Sequence, residues 1–181
     1  MDELASARIG RTFNQYACGP RAPLLRARLV RYLESRADAQ LLLVGEAPGY
    51  RGARVSGLPF TSERQLTGTG LGEATATVVQ RTLRRLGHEE DVLLWNVVPT
   101  HPGTSCANRM PTAAEIRLGL PFLAPLAEGR HVVAIGRTAE RALAAPAVRH
   151  PAHGGARKFE QGLIELLDTA TLATGTAQAM V

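Results

Sequence analysis

Three short, uninterrupted apolar runs constrain this chain most: residues 40–44 (QLLLV), 92–98 (VLLWNVV) and 131–135 (HVVAI). A strand with one face in water alternates apolar and polar side chains. These runs do not, so they read as strands covered on both faces. Residues 147–150 (AVRH) form a fourth, shorter candidate. Helical spacing fills the intervals. Leu25, Leu29 and Leu33 stand at i, i+4 and i+8 and predict a helix over 24–35 with one buried stripe. Val79, Leu83 and Leu86 predict another over 73–86, stopped by Gly87. Thr112 followed by Glu115 is a capping box. It opens a helix reaching at least Leu118, with Pro121 and Pro125 expected to limit it. Residues 138–143 predict a short helix directly after a strand and a glycine. Strand alternating with helix predicts an α/β fold around a parallel sheet.

Length and composition narrow the field further. The chain has 181 residues, 45% hydrophobic and 20% charged. A single domain of that size buries roughly 70% of its unfolded surface, and the composition excludes wholesale disorder. The expected domain is 1–168; residues 169–181 (TATLATGTAQAMV) read as a frayed tail. Cys18 and Cys106 are the only cysteines. Two thiols exclude a disulfide framework and any site that takes four thiolates from one chain. The opening MDELASARIGR is acidic before it is basic and lacks an apolar core, so no signal peptide is expected. No apolar run approaches the roughly 20 residues of a membrane helix, and the expected location is the cytoplasm. The net charge is +5, and Lys158 is the only lysine among 21 basic residues. Codon bias or selection for phosphate contacts would each give that arginine excess. The sign favours an anionic partner without identifying it.

Open parallel sheets bind ligands beyond the carboxyl ends of their strands. Four loops qualify. The first is Gly45-Glu46-Ala47-Pro48-Gly49. It lacks both the G-x-G-x-x-G spacing of a dinucleotide fingerprint and the lysine of a phosphate loop. It is either a tight turn with a solvated Glu46, or a set of exposed backbone N–H groups beside one carboxylate. Downstream, Phe60 in GLPFTS is a core plug or a flat platform for a base. The second place is Asn96 in an otherwise apolar strand, followed by Pro99-Thr100-His101-Pro102. A buried amide needs partners, which loop backbone or a base edge would supply. The third is Gly136-Arg137-Thr138. The fourth holds His150 and His153 around Pro151-Ala152, then Gly154-Gly155 and the basic pair Arg157 and Lys158. It is a surface loop or a phosphate-contacting one. Its histidines lack the helical i, i+4 spacing of a zinc site, so no metal is expected.

Taken in order, LLLVGEAPG, GLPFTS, WNVVPTHP, NRMPTAAEI with GLPFL, VVAIGRTAERAL and VRHPAHGG resemble the uracil-DNA glycosylase superfamily over roughly residues 40–163. They are nearest to the branch that carries GEAPG as its first motif and an iron–sulfur cluster. The resemblance implies a three-layer α/β/α sandwich with a central four-stranded parallel sheet. It implies base excision repair: uracil is flipped out of DNA and its bond to the sugar hydrolysed. On that reading Phe60 stacks on the base, Asn96 bonds its Watson–Crick edge and His150 donates to O2. The turn amides of Glu46 and Ala47 hold that oxygen, and Glu46 orients the attacking water. Arg51, Arg54, His153, Gly154, Arg157 and Lys158 would meet the DNA, as would Arg149. The absence of a motif lysine implies a monofunctional enzyme without a Schiff base. The partner is DNA, single- or double-stranded, and the protein is expected to be a monomer without cofactor.

The chain departs from that branch at four points. Thr100 and Gly119 stand where two cluster cysteines are expected, Cys106 is out of register, and no iron–sulfur cluster is expected. Ala47 and Gly49 replace the aspartate and tyrosine of the most studied branch, which leaves hypoxanthine or xanthine open as substrates. Gly154 stands at the position of the duplex wedge, with Arg157 a substitute, so single strands or mismatches, where flipping is cheaper, would be favoured. His153 has no assigned role. A non-catalytic damaged-DNA binder and a free-nucleotide enzyme are the competing readings.

Overall fold

A computed structural model describes residues 1–178, with side chains as far as Asp168. The elements in chain order are α1 (Asp2–Ser6), α2 (Ala22–Ser35), β1 (Leu41–Gly45), α3 (Ala53–Ser56), α4 (Glu63–Thr67) and α5 (Ala74–Leu86), then β2 (Val92–Asn96), α6 (Ala113–Ala127), β3 (His131–Ile135), α7 (Arg137–Leu143), β4 (Ala147–Val148) and α8 (Ala156–Gln178). The strands form one parallel sheet in the order β2-β1-β3-β4. The chain enters at the centre, turns to one side for β2, then crosses to the other. The switch point therefore lies between β1 and β3, where open sheets of this kind bind ligands.

The apolar runs behave as fully covered strands because each face meets a helical layer. Leu42, Val44, Leu93 and Trp95 point to a core shared with Leu25 and Leu29 of α2, Leu123 of α6 and Ala139 of α7. Leu43, Leu94, Val133 and Ile135 point to the opposite core with Val79 and Leu83 of α5 and Phe159 and Leu163 of α8. These are the three expected layers. Leu33 and Leu86, expected in the buried stripes, are only half-buried.

Several boundaries differ from the sequence reading. The fourth strand stops at Val148, whose carbonyl accepts the last ladder bond from Gly136 N (2.9 Å), and Arg149 and His150 belong to the following loop. The second is assigned to Asn96, although Val97 N and Val98 N still donate to the carbonyls of Gly45 and Glu46 (2.9 and 3.1 Å). Helix α6 runs through Pro121 and Pro125 to Ala127 instead of stopping at them. The prolines lie four residues apart on the exposed side of the helix, so the two carbonyls they free face water. Helices α1, α3, α4 and α8 have no counterpart in the sequence reading. The expected tail at 169–181 falls on residues whose side chains, and from 179 the backbone too, lie outside the described residues. No described helix is long and apolar enough to cross a membrane.

Candidate active site

A cavity of about 410 Å³ opens at the carboxyl end of the sheet. Glu46 to Gly49 after β1, Asn96 at the end of β2, Gly136 to Thr138 after β3, and Arg149, His150, Ala152 and His153 after β4 all line it. Phe60 and Glu73 join them from the segment that follows the first loop.

Gly45, Phe60 and Asn96 form one unit. Gly45 pairs in register with Asn96 and lies on the same face as Leu43. A Cβ on Gly45 would strike the Phe60 ring and stand 2.9 Å from Asn96 Oδ1. The missing side chain lets ring and amide meet over the strand end. Phe60 itself sits at φ 48, a conformation bulky residues seldom adopt. Its neighbours hold it there. Gln80 of α5 donates to the Phe60 carbonyl and to Thr61 Oγ1 (both 3.2 Å), and Ser56 Oγ donates to the Thr61 carbonyl (2.6 Å). Tyr16 and Arg28 fasten the same segment from the N-terminal side. Tyr16 donates to the Gly57 carbonyl (2.8 Å), and Arg28 grips the Glu63 carboxylate at 2.9 and 3.2 Å.

His150 follows β4 and packs against Gly136, whose φ of +85 suits glycine. Ala152 N–H donates to His150 Nδ1 (3.1 Å). In a neutral imidazole one nitrogen then accepts and the other donates, so the proton stands on Nε2. Burial first, then the charges of Arg149 and His153, hold its pKa below the ordinary histidine value. The ring is thus a neutral donor in the physiological range.

Two buried polar residues brace the rim. His101 is fully buried, with Nδ1 2.7 Å from the Pro48 carbonyl and Nε2 2.8 Å from that of Thr104. It ties the first loop to the second. Glu115, the capping-box residue, is also buried. Beyond the cap it takes Arg109 in a two-pronged pair (2.6 and 2.7 Å) and the backbone N–H of Arg11 (3.0 Å). Arg109, then the Thr112 and Arg11 amides, overcome the desolvation that opposes them and hold its pKa down at about 2. Arg109 and Asn108 consequently reach the cavity from a fixed loop, where Asn108 Oδ1 accepts from Tyr50 N (2.9 Å).

Of the residues singled out in the sequence, Glu46, Ala47, Phe60, Asn96, His150 and His153 share the cavity. Arg51, Arg54, Gly154, Arg157 and Lys158 do not line it. Arg51 lies over the Tyr50 ring and Arg54 over that of Phe13 (5.2 and 4.7 Å to the centroids). Gly154, Arg157 and Lys158 are exposed around the start of α8. Sequence reasoning missed Glu73 and the structural part played by Glu115 and His101. Only Glu115 carried a local signal, its cap.

The residues do not fit an iron–sulfur cluster. Both cysteines are free and exposed. Gly119 packs on the backbone of Val97 and Val98 with no room for a side chain, and Thr100 Oγ1 is fully buried against Thr12 Oγ1 (2.5 Å).

The fold is shared with a solved structure. The chain is similar to the crystal structure of wild-type SMUG2 from Pedobacter heparinus, with a TM-score of 0.70 and 13% identity over 94% of this chain and 95% of that one. It also matches wild-type UNG from Nitratifractor salsuginis, with a TM-score of 0.42 and 17% identity over 74% and 76% of the two chains. No curated protein sequence matches it. The family described as the uracil DNA glycosylase superfamily matches residues 33–178, most of the chain. The ordered loop motifs, the four-stranded parallel sheet and that match agree, and the chain belongs to the uracil DNA glycosylase superfamily.

Proposed function

We propose that this protein is a monofunctional DNA glycosylase that extrudes uracil and hydrolyses its N-glycosidic bond. The observation that carries this reading is the convergence of an aromatic ring, an amide and a neutral Nε2–H donor on one cavity. The Phe60 ring stacks on the extruded base. The Asn96 amide offers a donor and an acceptor to its edge. As the bond from base to sugar breaks, its electron pair moves onto the base, and the charge gathers on the carbonyl oxygen. His150 Nε2–H and the backbone amides at Glu46 and Ala47 meet that charge. Donors fixed before the reaction need no reorganisation. The Glu46 carboxylate faces the cationic sugar and orients a water, which adds its oxygen to the sugar carbon and gives up its proton to that carboxylate. The exposed Arg51, Arg157 and Lys158 and the half-buried Arg54, with His153 and Gly154 at the loop tip, meet the phosphates on either side.

A second substrate class has its own support. Ala47 leaves its part of the first-loop wall without a bulky side chain, and the cavity measures about 410 Å³. Hypoxanthine and xanthine are therefore tested beside uracil. Purified protein is incubated with single-stranded and U·G duplex oligonucleotides, then with alkali. Strand scission at the lesion is the expected result. Salt-dependent binding without scission on any lesion would establish the non-catalytic binder instead.

A further inference from the structure

A second carboxyl outside every sequence motif lines the same cavity. Glu73 is the residue that caps the N-terminus of α5, yet its side chain makes no capping bond. It turns toward the first loop. There it lies so close to Gly49 and Gly52 that a Cβ on either glycine would fall onto the carboxyl group. Two positions bare of side chains thus clear the volume it occupies. The carboxyl has no hydrogen-bond or ion-pair partner among the described residues, and burial alone acts on it, pushing its pKa up to about 7. Arg109, a cation of the same cavity, is committed to Glu115. Glu73 is half-buried, and its carboxyl oxygens, without a protein partner, still meet solvent at the cavity wall. The carboxyl lines the cavity, and its hydrogen-bonding capacity is open there.

We infer that Glu73 is a second substrate-contacting residue, whose carboxyl hydrogen-bonds the extruded base and sets which bases the cavity accepts. The inference rests on the glycosylase reading above. Asn96 reaches the base from β2, and Glu73 reaches it from α5 across the first loop. Uracil, hypoxanthine and xanthine all carry ring N–H donors beside carbonyl oxygens. A carboxyl group accepts from such an N–H when ionised, and both accepts and donates when neutral. With no tyrosine at Gly49, Glu73 is the polar side chain that discriminates on that side.

The test separates this inference from the reading beneath it. Base release by the parent protein tests the reading. Binding tests Glu73, using oligonucleotides with uncleavable 2′-fluoro analogues of deoxyuridine, deoxyinosine and deoxyxanthosine, and one with a tetrahydrofuran abasic site. The expected result for Glu73→Ala is a tenfold or greater fall in the preference for a base-bearing over an abasic site, with abasic affinity unchanged. Glu73→Gln keeps the shape and is expected to change the order of preference among the three bases. If both variants keep the parent's preferences within twofold, or if the parent never prefers a base-bearing site, the inference is overturned. Loss of base release with the binding pattern intact would sink the reading instead.

Discussion

At the scale of single residues, the site depends on protons placed by backbone. His150 owes its Nε2 proton to one hydrogen bond donated by the Ala152 backbone N–H, and its neutrality to burial first. His150→Ala should lower single-turnover base release by about a hundredfold, the loss of one preorganised donor, on the order of 3 kcal/mol. DNA affinity in a gel-shift assay should hardly change. Asn96→Ala should do the same. Two carboxyls carry opposite pH signatures. Glu115 has its pKa lowered to about 2, below its unfolded value of 4.5. Its contribution is full above pH 4.5 and drains away as pH falls toward 2. Each pKa unit is about 1.4 kcal/mol, so about 3 kcal/mol is at stake. Thermal melts of the parent and Glu115→Gln should therefore differ widely at pH 6 and converge near pH 2. Glu73 behaves in reverse. Its folded pKa of about 7 exceeds 4.5, so the folded state binds the extra proton, and stability falls as pH rises between the two values. Glu73→Gln should gain melting temperature relative to the parent at pH 8 and not at pH 4.

At the scale of elements, loops carry the chemistry and strand ends aim it. Gly45 is the joint. Gly45→Ala places a methyl group between the Phe60 ring and the Asn96 amide. It should abolish base release with a melting temperature lowered by a few degrees, since the strand register is set elsewhere by Leu42, Leu43 and Val44. Phe60 was legible in the sequence as an aromatic in a glycine-rich loop, but its φ of 48 was not. That angle is imposed by Gln80, twenty residues downstream. The prolines of α6 show the same limit from the other side. Their type predicted a stop, and only their exposed placement explains why the helix continues.

At the scale of the whole molecule, the net charge is +5, and the cations assigned to DNA stand in two groups. Arg51 and Arg54 follow the first loop, while Arg149, Arg157 and Lys158 surround the last. Each cation that meets a phosphate releases counterions, so affinity for DNA should fall steeply with salt. Replacing Arg157 and Lys158 together by Gln should flatten the slope of log affinity against log salt by up to about 2, without changing preference among bases. A slope equal to the parent's would remove both from the DNA interface.

What the sequence determined by itself is the frame. Continuous apolar runs require strands covered on both faces, and helices between them require a parallel sheet. A parallel sheet delivers Glu46, Asn96, Gly136 and His150 to one edge because every strand points the same way. These signals are local: a period, a cap, a glycine after a strand. The tertiary structure alone decided what completes the site. Glu73 reaches Gly49 across 24 residues of chain, His101 reaches Pro48 across 53, and Glu115 reaches the Arg11 amide across 104. None of these pairings leaves a trace in the residues adjacent to it. Burial and proximity belong to the folded chain, and they set the tautomer of His150 and the opposite pKa shifts of Glu73 and Glu115.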